Sequence, residues 1–499
     1  MAEHLITIED ARADLLACAA FLAENIKSSD GHAEAMSKIV PYYLAKNDVD
    51  LAAEFANSVD DPFMRDKLLI TVAEKCAAID DDEYALQLVE AIEDYGLQLQ
   101  GLERLVHQKA AKGEYEKAFE IADSLRHNEF AHAEIAIRQA EAGNETGAAE
   151  IIENIEFPSA KVTGLQSIAA NLIAKGENEK AVELLENASF EAKSIEHAEE
   201  KIRAFNDIAN LFIEAKRNDR AIETFDKAKT EAVQLDNTHK DFLLGMSSLG
   251  FFRAGSVDLA DRTLDLVVDK TQIASVLVGF SREYWAKDEK NDAIEALEEA
   301  YAVLKSQHER ETRDSRAKFG LFTNISVQFA QYDKAERAIE IAQSNPGETE
   351  ETSSLNQIAQ VYALRGKDEL TAQALQAIRE DSDRMFAMIA VSDAKERSEK
   401  REDAVKYLTQ AAELAETVPQ LSLRSSALNE IALRFINYGK KERARELAHE
   451  NLEIIDEIRD ESIRSVALAE LSDVYKAGDF ELNEAEQTIL YTMIRKAEM

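Results

Sequence analysis

Residues 168–188 read Ile-Ala-Ala-Asn-Leu-Ile-Ala-Lys-Gly-Glu-Asn-Glu-Lys-Ala-Val-Glu-Leu-Leu-Glu-Asn-Ala. Apolar side chains fall at Ile168, Ala169 and Leu172, stop at a polar turn beginning with Gly176, and resume at Ala181, Leu185 and Ala188. Three- and four-residue spacing on both sides of a turn is the pattern of two amphipathic helices folded into a hairpin. Ala169 and Ala181 are small where the helices would cross, which lets the two backbones approach closely. Gly176 stands where the first helix has to end, a place usually taken by a residue of left-handed conformation.

The same frame recurs outward in both directions. Ala118 follows Gly113, Ala148 follows Gly143, Ala444 follows Gly439, and Ala221 follows Lys216 at the same five-residue distance. Thirteen residues before these anchors and Ala181 stand Leu105, Ile135, Ile168, Ile208 and Ile431. Further anchors at Ala52, Ala85, Ala260, Ala293, Ala335, Thr371 and Ala404, with a weak copy near Asn483, carry the frame along the chain at intervals of about 30 to 42 residues. Pro62, Pro158, Pro346 and Pro419 mark the other junction, where a second helix stops before the next copy. Pro41 falls inside a first helix, which it should kink or delay.

Composition agrees with helices. The 499 residues include 5 Pro and 17 Gly, too few for a loop-rich or β-rich chain, and 45% are hydrophobic, enough to build a core. A formal net charge of −39 repels phosphate backbones and anionic lipid, and no basic stretch offsets it. Nucleic acid is therefore not an expected partner. No stretch approaches 18 uncharged apolar residues, so no membrane span is expected and a cytoplasmic location is the default. Cys18 and Cys76 sit in apolar helical stretches and read as small buried hydrophobes.

With the repeat in view, the residues resemble the tetratricopeptide repeat family. Ile208, Ala209, Phe212, Ala221, Phe225 and Ala228 follow its pattern of large, small, turn, aromatic and small positions, as do Gly113, Tyr115, Lys117 and Ala118. The resemblance runs through roughly residues 30 to 495. It implies a superhelix with first helices lining its concave face. Two copies, from Ala181 to Ala221 and from Ala404 to Ala444, span 40 residues, which predicts second helices longer by a turn or two. Around Ile325, Phe329 and Ala335 the turn is three residues short. The lysines of the family's carboxylate clamp are missing, so an acidic C-terminal tail is not an expected ligand.

No constellation announces chemistry. The glycines are single and serve turns, so there is no phosphate-cradling loop. His127 and His132 are five residues apart, a step that does not bring two ligands to one helix face. The run Asp80-Asp81-Asp82-Glu83 lacks the glycine and alternating ligands of a calcium loop and reads as a helix cap. Neither a cofactor nor a metal is expected.

These readings give an all-α, tetratricopeptide-like α-α superhelix of about thirteen helix-turn-helix repeats. Residues 1–30 are expected to form an N-terminal capping helix, 31–481 the repeat array, and 482–499 a C-terminal capping helix. The open repeat register argues against the array closing on itself. The expected function is a non-catalytic scaffold or adaptor that binds a protein or peptide segment on the concave wall, the acidic charge favouring basic segments. The alternative is a regulator whose superhelix encloses a small molecule or signalling peptide. Counting back from the anchors places Arg203, Asn206, Asn210, Phe252, Arg282, Trp285, Asn356, Gln360 and Asn429 on that wall. Amides there suit an extended peptide backbone, arginines a carboxylate, and Phe252 and Trp285 an apolar anchor.

Overall fold

The computed structural model describes residues 5–307 and 314–498. Two short-to-medium helices come first, α1 (Ile8–Ala13) and α2 (Leu15–Glu24). Twelve hairpins follow, beginning with α3 (Ser29–Ala45)/α4 (Val49–Asn57), α5 (Pro62–Ala78)/α6 (Asp82–Glu90) and α7 (Tyr95–Ala111)/α8 (Tyr115–Asp123). The next are α9 (Glu129–Glu141)/α10 (Glu145–Glu153), α11 (Pro158–Ala174)/α12 (Asn178–Glu191) and α13 (Ala198–Glu214)/α14 (Asn218–Val233). Then come α15 (Lys240–Arg253)/α16 (Val257–Leu264), α17 (Lys270–Ala286)/α18 (Lys290–Ser306) and α19 (Ser315–Gln331)/α20 (Ala335–Gln343). The last three are α21 (Glu348–Leu364)/α22 (Asp368–Ala377), α23 (Asp381–Arg397)/α24 (Arg401–Ala415) and α25 (Leu421–Asn437)/α26 (Lys441–Glu457). The described chain ends with α27 (Glu461–Gly478) and α28 (Glu484–Ala497), and the described residues contain no strand. The architecture is an all-α solenoid of helical repeats.

One turn builds all twelve hairpins. Five residues before each anchor the backbone has positive φ, with Gly at Gly113, Gly143, Gly176, Gly255, Gly366 and Gly439. Asn47, Asp80, Lys216, Asp288, Asp333 and Glu399 take the same conformation at the other six. The following N–H reaches back five residues to the first helix, as from Glu177 to the Leu172 carbonyl at 2.8 Å and from Arg217 to Phe212 at 2.8 Å. This is the Schellman closure, which satisfies carbonyls that a helix end leaves open. The anchor then sits fourth in the second helix and is buried, with Ala181, Ala221, Ala260 and Ala444 all at 0% exposure. A larger side chain there would push the helices apart, at a cost of about 1–3 kcal/mol.

The irregular copy is resolved by this turn. Asp333 holds the positive φ, so its anchor is the fully buried Ala338, three residues beyond Ala335, which instead opens α20. Ile325 keeps its place thirteen residues before the corrected anchor. The longer copies behave as their spacing predicts: α12 and α24 have 14 and 15 residues against nine in α4, α6, α8 and α10. Pro41 lies within α3, which continues through it to Ala45. Asp81 caps α6 by accepting from the Tyr84 N–H at 3.3 Å, while Asp80 supplies the left-handed turn.

The helices divide into two compact units. Unit 2 comprises Glu103–Ser354, and unit 1 joins Met1–Leu102 with Leu355–Met499. In unit 2 the first helices α9, α11, α13, α15, α17 and α19 pack one on the next as a row. In unit 1 the corresponding row runs α23, α25, α27, α3 and α5, so the two ends of the chain meet inside it. This corrects the expectation of an open array: a repeat register carries no information about contacts between helices remote in sequence.

Candidate functional site

Each first helix buries two sides, one against its own second helix and one against neighbouring first helices, and leaves one stripe open. On α13 the open stripe is Arg203, Asp207, Asn210 and Glu214; on α15 it is Phe242, Met246, Leu249 and Arg253. The 4-3-4 spacing puts each set on a single helix face. On α17 the stripe passes through Ser275, Gly279 and Arg282.

The α15 stripe is apolar for three of its four positions. Phe242 is 40% exposed, and Met246 and Leu249 are half-buried, although the rest of α15 already supplies a core face through Leu243, Leu244, Phe251 and Phe252. On the α17 side, Gly279 keeps the surface low, since a Cβ there would come within 2.8 Å of the Leu249 side chain. Cations border the strip. The Arg203 guanidinium lies 5.1 Å from the Phe242 ring centroid, Arg253 binds Glu283 at 2.8 Å, and Arg282 donates to Gln328 at 2.8 Å. Asp207 reaches solvent, yet the protein around it excludes enough water that desolvation raises its pKa, with Arg203 only partly offsetting the effect.

The residues singled out from the sequence separate into two groups. Arg203 and Arg282 are exposed, while Asn210, Trp285, Asn356 and Gln360 are half-buried. Asn210 shares the α13 stripe with Arg203 and spends its amide N–H on the Asn206 carbonyl at 3.0 Å. In unit 1, Gln360 donates to the Asn356 side-chain oxygen Oδ1 at 3.1 Å, one turn away on α21. Asn206, Phe252 and Asn429 are corrected to the interior. Asn206 is fully buried and accepts from Ser247 at 2.9 Å, tying α13 to α15. Asn429 is 4% exposed and accepts from Asn451 of α26 at 2.8 Å. Phe252 is 1% exposed, stacked 4.3 Å from Phe280 and edge-on 4.9 Å from Tyr284. At Asn206 and Asn429 the position fifteen before an anchor faces neighbouring helices, as position eight does at Phe252, whereas Asp207, fourteen before, and Asn210 and Arg282, eleven before, face out.

That one-residue offset is why sequence reasoning passed over Asp207 and Met246; Phe242 and Leu249 share the register of Arg203 and Asn210 and were passed over because polar side chains were favoured there. A helix turns about 100° per residue, so choosing Asn206 over Asp207 selects an interior side chain. The available signal was an excess of apolar residues in α15 beyond those its two buried sides need.

Among the described residues no group of three or more His, Cys, Asp and Glu side chains could hold a metal ion. His132 instead contacts Asp123 at 3.0 Å. No described helix is long and apolar enough to cross a membrane.

No family profile matches the chain, and no curated protein matches it in sequence. Among solved structures, it is similar to Ton1535 from Thermococcus onnurineus NA1 at 18% identity, over 81% of this chain and 98% of that one, with a TM-score of 0.25. It is similar to the apo form of the quorum sensor NprR from B. thuringiensis at 12% identity, over 65% and 97% of the two chains, with a TM-score of 0.24. A circular tandem repeat protein with novel repeat topology aligns at 16% identity over 94% and 88%, with a TM-score of 0.13.

Proposed function

We propose that this tetratricopeptide-like chain is a non-catalytic, cytoplasmic scaffold or adaptor. Its first helices in unit 2 take an extended protein or peptide segment across α13, α15 and α17. The observation that supports this reading is the apolar strip Phe242–Met246–Leu249, left uncovered on a helix that already has its core face and bordered by hydrogen-bonding side chains. Apolar anchors dock on such a strip, and the amide of Asn210 and the guanidinium of Arg282 supply polar contacts beside it. With a net charge of −39, the chain as a whole favours a partner segment carrying basic residues, away from the three arginines that border the strip.

The test is site-specific photo-crosslinking in cells of the native source. A photoreactive side chain at position 246 is expected to capture a discrete partner, and Leu249→Glu is expected to abolish the adduct with unchanged circular dichroism. The same probe at Glu223, on α14, is the control. Equal capture at both positions, or an adduct that survives Leu249→Glu, would overturn the reading.

A further inference from the structure

The last first helix, α27, does not receive its second helix from the chain that follows it. The position is filled by α2, which packs along α27 as α26 packs along α25. Like a second helix elsewhere, α2 then packs on the next first helix, α3, and α27 touches α3 directly. The segment that does follow α27 leaves through Asp479, and α28 lies against α1, α2 and α26 instead.

The chemistry of α2 fits an interior place. Nine consecutive residues, Leu15 to Ala23, are buried, and a helix apolar on every side is stable only when covered on every side. The Ser465 hydroxyl of α27 donates to the Ala19 carbonyl of α2 at 2.7 Å, and Ser462 donates to the Glu34 carboxylate of α3 at 3.3 Å. On the outer side, Arg12 of α1 lies 5.2 Å from the ring centroid of Tyr491 on α28.

We propose that α27 and α2 form one composite repeat that clasps the two ends of the chain into a single cooperative body. Open solenoids need a polar cap at each end, because an uncovered repeat face stacks on other copies. Here each terminal face is covered by the other. The clasp is part of the core of unit 1, and α2 is released only when that unit opens as a whole.

The two cysteines of the chain test this in the full-length protein. Cys18 lies in α2 and Cys76 in α5, both buried in unit 1, so neither thiol reacts until its surroundings open. Cys76→Ala leaves Cys18 as the probe, and Cys18→Ala leaves Cys76. With a thiol reagent in excess across a urea series, the two are expected to label within tenfold of each other and with the same urea dependence. Ser465→Ala is expected to accelerate both by roughly 2- to 10-fold, the effect of losing one hydrogen bond. If Cys18 labels more than tenfold faster than Cys76, or Ser465→Ala accelerates Cys18 alone, the ends fray independently and the clasp is refuted. Should Cys18→Ala fail to fold, global unfolding of the Cys76→Ala protein followed by circular dichroism replaces Cys76 as the reference, with the same tenfold limit.

Discussion

Trp285 stacks on Tyr332 with ring centroids 3.8 Å apart and planes 14° from parallel. The Tyr332 hydroxyl lies 3.0 Å from both the Ser281 carbonyl and hydroxyl oxygens, and the Ser281 hydroxyl lies 2.6 Å from the Ala293 carbonyl oxygen. The stack therefore joins α17 and α19, as Phe252 with Phe280 and Tyr284 joins α15 and α17. Trp285 is a spacer between repeats before it is anything else. Trp285→Ala is expected to cost about 2 kcal/mol, below the loss for a fully buried aromatic because the indole is half-exposed. Urea unfolding followed by circular dichroism measures it, and an unchanged midpoint would show that the stack is incidental.

Glu486 is a fully buried carboxylate that holds α28 in place. It accepts from Arg445 at 2.7 Å, Tyr475 at 2.8 Å and the Asn483 N–H at 2.9 Å, with His449 at 3.0 Å. Burial alone would raise its pKa, but the bonds from Arg445, Asn483, Tyr475 and His449 outweigh burial and lower it. A carboxylate held lower in the folded state than in the unfolded one stabilises above the unfolded pKa, and that stability disappears as pH falls through the folded value. Glu486→Gln is expected to lose roughly 2–3 kcal/mol at pH 7 and to lose progressively less below pH 4, as the wild-type carboxyl also becomes neutral. Parallel urea curves at pH 7 and pH 3 check this, and a pH-independent difference would contradict it.

The repeat was legible in the sequence because its turn is local. Lys216 could be placed in a glycine slot only because Ala221 followed at a fixed distance, and the structure gives it positive φ, as it does Glu399 before Ala404. The short turn before Ala335 could not be settled locally, since Ala335 and Ala338 are both small and one turn apart on the same helix. The binding stripe needed an angular accuracy that spacing does not supply, which is how Asn206 was chosen over its neighbour Asp207. The pairing of α2 with α27 lay beyond pattern reading altogether. Nine apolar residues mark α2 as buried, but nothing in them specifies a cover some 450 positions away, at Ser465.

Six of the twelve turns place a side chain in a backbone conformation that favours glycine, and Lys216 at φ 64° is one of them. Lys216→Gly is expected to stabilise the protein by about 0.5–1 kcal/mol, because relief of the left-handed strain exceeds the added entropy of the unfolded chain. Gly176→Ala, at φ 81°, is expected to destabilise by about 1 kcal/mol with no steric clash, since nothing lies within 4 Å of the added Cβ. Opposite shifts in the urea midpoint are the expected result. Shifts of the same sign would mean that these turns are not governed by φ.

Asp207 gives the proposed binding strip a pH signature. Desolvation raises its pKa in the folded chain, so the folded state prefers the protonated carboxyl. Linkage then fixes the sign: the charged form opposes folding above the folded pKa, and the penalty fades as pH falls through the folded value toward the unfolded one. Asp207→Asn should therefore raise the urea midpoint at pH 7 and have no effect at pH 3. If a basic partner segment sits on the strip, its cation adds to the partial countercharge that Arg203 gives Asp207, and Asp207→Asn should weaken the complex even as it stabilises the free protein. Opposite signs for stability and affinity are what a desolvated binding carboxylate produces. Loss of both together would mean that Asp207 serves the fold alone.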